Sequence, residues 1–116
     1  MKIVRVVLSP EATEVYKYLN SEAENSKTER MLLKAINQKI ELIKANVHYG
    51  DAISKDLIPE EYKQRYEINN LFRVELPAFW RMIYTLTKNG EIEIIAFVLD
   101  ILNHPDYNKK FGYKKR

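Results

Sequence analysis

"LFRVELPAFWRMIYTL", residues 71–86, decides the fold. Its apolar residues fall on every second position, the period of a half-buried strand. Phe72, Val74 and Leu76 share one side of an extended chain, with Leu71, Arg73 and Glu75 on the other. After Pro77-Ala78-Phe79 the alternation resumes, with Trp80, Met82, Tyr84 and Leu86 set against Arg81, Ile83 and Thr85. A three-residue turn pairs Leu76 with Trp80, Val74 with Met82 and Phe72 with Tyr84. A two-residue turn would slip the register and bury Arg81. Further on, "EIEIIAFVL" (91–99) places Ile92, Ile94, Ala96 and Val98 against Glu91, Glu93, Ile95, Phe97 and Leu99. Lys88-Asn89-Gly90, read as a three-residue loop ending in a left-handed glycine, pairs Leu86 with Ile92 and Tyr84 with Ile94. These runs predict an antiparallel three-stranded meander with one continuous apolar face.

Upstream residues supply a cover for that face. "KIVRVVLS" (2–9) is β-branched and predicts a first strand, bounded by Ser9-Pro10. Ser9 suits a helix N-cap and Pro10 a first helical turn, after which Ala12, Val15, Tyr16, Leu19 and Ala23 keep helical spacing. Ser26 and Glu29 form a capping box. Leu32, Ile36, Ile40, Ile43 and Val47 then make an apolar stripe that ends near Gly50. The two helices predict a hairpin laid on the apolar face. Residues 51–69 are the least legible, with one or two helical turns expected after Pro59. The fold class is therefore α+β: a strand, a helical hairpin, the meander and a short C-terminal element, all in a single domain over residues 1–116.

The composition agrees with this and sets bounds. The chain has 116 residues, 46% hydrophobic and 30% charged, enough for one buried core. No stretch approaches the roughly 18–20 apolar residues of a membrane span, and the start lacks a signal peptide's pattern. With no cysteine there is no disulfide or thiolate–zinc framework, and a cytoplasmic location is expected. The net charge of +3 is modest but uneven. Residues 104–116 hold five Lys/Arg and one acid, and the rest of the chain has 14 cations against 15 anions. A local basic patch is the electrostatic feature to follow.

The predicted open sheet face carries Arg73, Glu75, Arg81, Ile83, Ile95, Phe97 and Leu99. The registers above set Glu75 on one side of Arg81 and Phe97 on the other. Two readings stand. One is a surface cross-strand ion pair, worth about 0.2–1 kcal/mol. The other is an anion site, in which Arg81 grips a phosphate and Phe97 stacks on a base. The C-terminal stretch "NHPDYNKKFGYKKR" (103–116) bears on the choice, because the third strand returns it toward Arg81. His104 titrates near neutrality and can move a proton, Tyr107 can stack or share one, and Lys109, Lys110 and Lys114 can hold phosphates. These are the parts of a metal-independent ribonuclease. Each also has a plainer reading: His104 as a surface histidine, Asp106 as turn chemistry and the terminal lysines as a solvated end. His48 suits the second helix's C-terminal dipole, and Glu60-Glu61 suit a helical first turn. No phosphate-binding glycine loop, zinc-ligand spacing or Gly-x-Ser-x-Gly elbow occurs, and no cofactor is implied.

At "LFRVELPAFWRMIYTL" and "IEIIAFVLDILNHPDY" (92–107) the chain resembles the RelE/ParE superfamily of toxins from type II toxin–antitoxin systems. "WRMIYTL" (80–86) is similar to that family's middle-strand arginine followed shortly by an aromatic. Residues 71–107 carry the resemblance, and residues 1–47 match in element order alone. The RelE-like branch implies a ribosome-dependent mRNA endoribonuclease that works without a metal, and this is the function expected. In it, Arg81 matches the arginine that stabilises the scissile phosphate, Arg73 a basic residue on the preceding strand, and Tyr107 the C-terminal tyrosine. His104 has no fixed counterpart in that branch, although some relatives use a C-terminal histidine and tyrosine. Glu75 stands where the pattern often has a lysine, and some relatives use a glutamate as base. The resemblance also implies partners: mRNA and ribosome, and a cognate antitoxin on the open face at Ile83, Ile95, Phe97 and Leu99 or in place of the C-terminal element. A homodimer or a toxin–antitoxin hetero-oligomer is compatible with it, and no membrane is involved. The second reading is a non-catalytic member, either a ParE-like gyrase poison or a protein-binding module.

Overall fold

The structure, a computed structural model, describes residues 3–90 and 92–112. The strands are β1 (Ile3–Leu8), β2 (Asp51–Ala52), β3 (Phe72–Glu75), β4 (Arg81–Asn89) and β5 (Glu93–Leu102). The helices are α1 (Pro10–Glu22), α2 (Lys27–Ala45), α3 (Glu60–Tyr66) and α4 (His104–Lys110). The expected α+β layout is present. The meander is the centre of a larger sheet, with five strands in the order β1-β5-β4-β3-β2. β1 joins one edge parallel to β5, and two-residue β2 pairs with β3 at the other.

Local sequence explains the helical hairpin. The buried Ser9 hydroxyl accepts from the Ala12 amide at 3.0 Å and donates to the Leu99 carbonyl at 2.6 Å. One side chain thus starts α1 and fastens it to β5, and a cap of this kind contributes about 1 kcal/mol. Ser26 caps α2 by accepting from Glu29 N. Ala12, Leu19, Leu32, Ile36 and Ile43 are buried against Phe72, Val74, Leu76, Met82, Tyr84, Ala96, Val98 and Ile101 of the sheet. The apolar stripe outlasts its helix, because α2 ends at Ala45 and Val47 belongs to the following turn. His48 does not cap the helix; its ring meets Phe72 edge-on at 5.8 Å. Tyr84 secures this turn, its hydroxyl donating to the Val47 carbonyl and accepting from Gly50 N. A Cβ on Gly50 would lie 3.0 Å from both the Arg73 carbonyl oxygen and the Tyr84 ring, so glycine is required there by close approach.

The first hairpin has the predicted register, with Phe72 opposite Tyr84 and Val74 opposite Met82. The second does not. Leu86 pairs with Ala96 and Tyr84 with Val98, in place of Ile92 and Ile94. β4 continues to Asn89, which pairs with Glu93, and Ile92 stays in the turn. A slide by an even number of residues keeps every side chain on its face, so alternation alone could not fix this register. Pairing of β1 with residues 93–98 adds a constraint that the hairpin sequence does not contain. The shift overturns the placing of Phe97 beside Arg81: Phe97 lies opposite Thr85, and Leu102 lies opposite Arg81. A β-bulge between Ile83 and Tyr84 leaves Leu99 as the extra residue of β5.

The face expected to be open is covered. Ile58, Tyr62, Leu71, Ile83, Leu99 and Tyr107 form a second buried cluster, flanked by Ile53, Tyr66, Ile68, Phe97, Leu102 and Phe111. Ile83 and Leu99 are 0% and 1% exposed, so they offer nothing to a partner; Phe97 and Ile95 are partly covered. The cover is residues 53–68 together with α4. Among the described residues no helix is long and apolar enough to cross a membrane.

Candidate functional site

Glu75 and Arg81 are directly opposed across β3 and β4, and Arg73 lies two residues before Glu75 on the same face. The Glu75 carboxylate sits between the two guanidiniums, 3.6 Å from Arg73 Nε and 3.5 Å from Arg81 Nε. These are ion-pair separations that do not form hydrogen bonds, and both Nε atoms are buried without an acceptor. Buried donors are rarely left so.

α4 completes the group. Asn103 caps it, its side chain accepting from Asp106 N at 2.9 Å, and Pro105 fits its first turn. The start of this helix sets His104 and Tyr107 over the arginines. Arg73 Nη1 donates to the Tyr107 hydroxyl at 3.1 Å, and the Arg81 guanidinium lies 4.8 Å from the Tyr107 ring centre. Arg81 Nη1 lies 3.3 Å from His104 Nδ1 and donates to the Phe79 carbonyl. A guanidinium only donates, so this contact forms as a hydrogen bond only in the tautomer whose Nδ1 accepts. On the other side of the ring the Asn108 amide nitrogen lies 3.2 Å from Nε2, a contact that favours the opposite tautomer. The Tyr107 hydroxyl raises the Arg73 pKa above arginine's ordinary value, so Arg73 is a fixed cation. Asp51 Oδ2, at 4.0 Å, adds a second carboxylate beside it. Side-chain exposure is 32% for Arg73 and 14% for Arg81, while Glu75 and His104 are open to solvent.

The structure thus brings together Arg73, Glu75, Arg81, His104 and Tyr107, and moves the other candidates elsewhere. Tyr107 is 2% exposed, its ring stacked on Phe111 at 4.5 Å, so it cannot stack on a base. It positions the arginines. Phe97 packs edge-on against Tyr66 at 5.4 Å, away from Arg81. Lys110 is committed internally: its Nζ bonds Glu61 Oε2 at 2.5 Å, lies 3.9 Å from Asp100 and 5.3 Å from the Tyr62 ring centre. It ties α4 to α3 and is not free to hold a backbone phosphate. Lys109 is exposed on the rim of a cleft shared with Glu60, Glu61 and Asp106, an acidic setting for an RNA contact. Lys114 lies outside the described residues.

Two groups were not anticipated. Tyr62 donates to Asp100 Oδ2 at 2.6 Å; burial raises both pKa values, with the tyrosine hydroxyl and Lys110 partly offsetting the aspartate's shift. Phe79, treated as a turn residue, is 71% exposed and faces His104 at 5.8 Å. An aromatic at a hairpin tip was its only sequence signal. Among the described residues no three His, Asp or Glu side chains are placed to hold a metal ion.

Fold and site together define an α+β domain whose five-stranded sheet carries a paired-arginine cluster with a short helix seated on it. Comparisons of the chain with protein-family models, with curated proteins and with solved structures find no match.

Proposed function

We propose that this chain is an mRNA endoribonuclease of the toxin type, acting on ribosome-bound message without a metal and held in check by an antitoxin. The observation that carries the reading is a run of contacts, Arg73 to Glu75 at 3.6 Å, Glu75 to Arg81 at 3.5 Å and Arg81 to His104 at 3.3 Å, that joins the sheet to a helix more than twenty positions on. Transesterification would use them as follows. The ribose 2′-oxygen gives up its proton, attacks the adjacent phosphorus and expels the 5′-oxygen, leaving a 2′,3′-cyclic phosphate and a 5′-hydroxyl. The two guanidiniums offset the charge that grows on the non-bridging oxygens. Glu75 and His104 flank Arg81 and are the available base and acid. A phosphate that draws Arg81 away from His104 also frees the imidazole for proton transfer.

A second reading has its own support. Arg81 is largely covered and Tyr107 bridges both arginines, so the cluster also anchors α4. A protein-binding module would need nothing more. Primer-extension mapping of mRNA on translating ribosomes, with wild type beside Arg81→Ala, separates the two. Cuts within codons that disappear in the variant support the nuclease. Uncut message with folded wild-type protein overturns it and leaves the binding module.

A further inference from the structure

We infer that Phe79 is a stacking platform for a nucleobase of single-stranded RNA, set beside the phosphate position at Arg81; this rests on the reading that Arg81 receives an RNA phosphate. Phe79 is the most exposed large hydrophobic residue described, at 71%. Its exposure is built by the backbone. Ala78 and Phe79 both hold left-handed conformations, with φ of 58° and 63°, before Trp80 returns to an extended chain. Consecutive left-handed non-glycine residues are uncommon, a bulky one especially so, and such strain gathers at functional sites. Glycine would make this turn without strain, yet the chain places a phenyl ring there and turns it outward.

The surroundings of the ring select its occupant. The Phe79 carbonyl accepts from Arg81, and its ring lies 5.8 Å from the His104 ring at an interplanar angle of 56°. A flat apolar surface therefore adjoins a guanidinium and an imidazole. A nucleotide has the matching parts, a π-face joined through a sugar to an anion. Stacking of this kind tolerates any base, because every base has such a face. Tyr107 and Phe97 do not compete for the role, since the first is buried and the second is packed on Tyr66.

The test uses the full chain and two probes: a fluorescently labelled, uncleavable 2′-deoxy oligouridylate, and an abasic strand with the same number of phosphates. Wild type is expected to bind the base-bearing strand roughly tenfold tighter than the abasic one. Phe79→Ala and Phe79→Leu should erase that preference while leaving the salt dependence of binding intact; Phe79→Trp should keep it. Phe79→Gly should lose it while melting at a higher temperature than wild type, since glycine relieves the left-handed strain. Salt-dependent binding whose base preference survives Phe79→Ala overturns this inference and spares the phosphate reading. Absence of salt-sensitive binding to either strand, in wild type and Arg81→Ala alike, overturns both, and Phe79 is then an anchor for a protein.

Discussion

The two faces of one sheet are built by different rules. On the face under α1 and α2, the buried cluster is apolar apart from the Tyr84 hydroxyl, which meets a turn at the edge, and the buried Ser9 hydroxyl beside it serves to cap α1. On the face under α3 and α4, buried apolar residues are interleaved with Tyr62–Asp100, Arg73–Tyr107 and Arg81–Glu75. The first face needs only volume and alternation, which many sequences satisfy. The second needs each polar group to meet a particular partner, and two guanidinium nitrogens are left without one. A molecule that stabilised itself only by burial would not keep those donors. The contrast is the reason the proposed function is placed on the second face.

The comparison breaks most readily at β4. Met82 and Ile83 are consecutive, each 0% exposed, and face opposite sides. If both faces are true cores, Met82→Ala and Ile83→Ala should each lower unfolding stability by about 2–5 kcal/mol in a denaturant titration. A cost near zero for Ile83→Ala would mean that residues 53–68 and α4 cover their face without packing on it. Gly50→Ala should cost roughly 1–3 kcal/mol, because its Cβ meets backbone and ring at 3.0 Å, and a thermal melt would record it. The Gly50 turn leads into β2, so Arg73 should lose part of its ordering as well.

Glu75→Gln sharpens the contrast at the site. It removes the carboxylate that lies between the guanidiniums. RNA affinity should rise by roughly tenfold in a salt-controlled titration, as a charge-assisted contact to phosphate replaces the internal pair. If Glu75 is the base, cleavage falls at the same time; if cleavage persists, His104 carries the proton. A drop in affinity would mean that the carboxylate orders the arginines.

The smallest effect is the pH dependence of Asp100. Burial raises its pKa in the folded state, so the native protein holds that proton to higher pH than the unfolded chain does. Its contribution is complete below the ordinary aspartate value and is lost as pH rises through the raised value. Tyr62, Lys110, Glu61 and Glu11 face this group and set the size of the effect. Asp100→Asn should flatten the wild-type stability profile over that window, keeping an acceptor for the Tyr62 hydroxyl. An unchanged profile would place Asp100 in a more polar setting than its neighbours suggest.

The same division explains what could be read in advance. Ser9, Ser26 and the spacing of Leu32, Ile36 and Ile43 announce α1 and α2, because caps and helical stripes are local. The turn at Pro77–Phe79 fixes the first hairpin because only one loop length keeps Arg81 from the core. Residues 53–68 gave no periodic signal: Ile53, Ile58, Tyr62, Tyr66 and Ile68 reach one cluster from a short helix and irregular chain. Their burial is decided by what they land on. Phe79 was legible only as an aromatic in a turn, its outward aim being a matter of two backbone angles.

By itself, then, the sequence determined the α+β class, the helical hairpin, the two sides of each strand and the presence of Arg73, Glu75 and Arg81 on one of them. Tertiary structure alone decided the register of β4 against β5, the covering of the second face and the seating of His104 and Tyr107 on the arginines. The physical reason is range. Capping and alternation act between near neighbours, and alternation is unchanged by an even slide. Register and convergence depend on β1, residues 53–68 and α4 arriving at the same sheet, a condition that no single stretch of the chain contains.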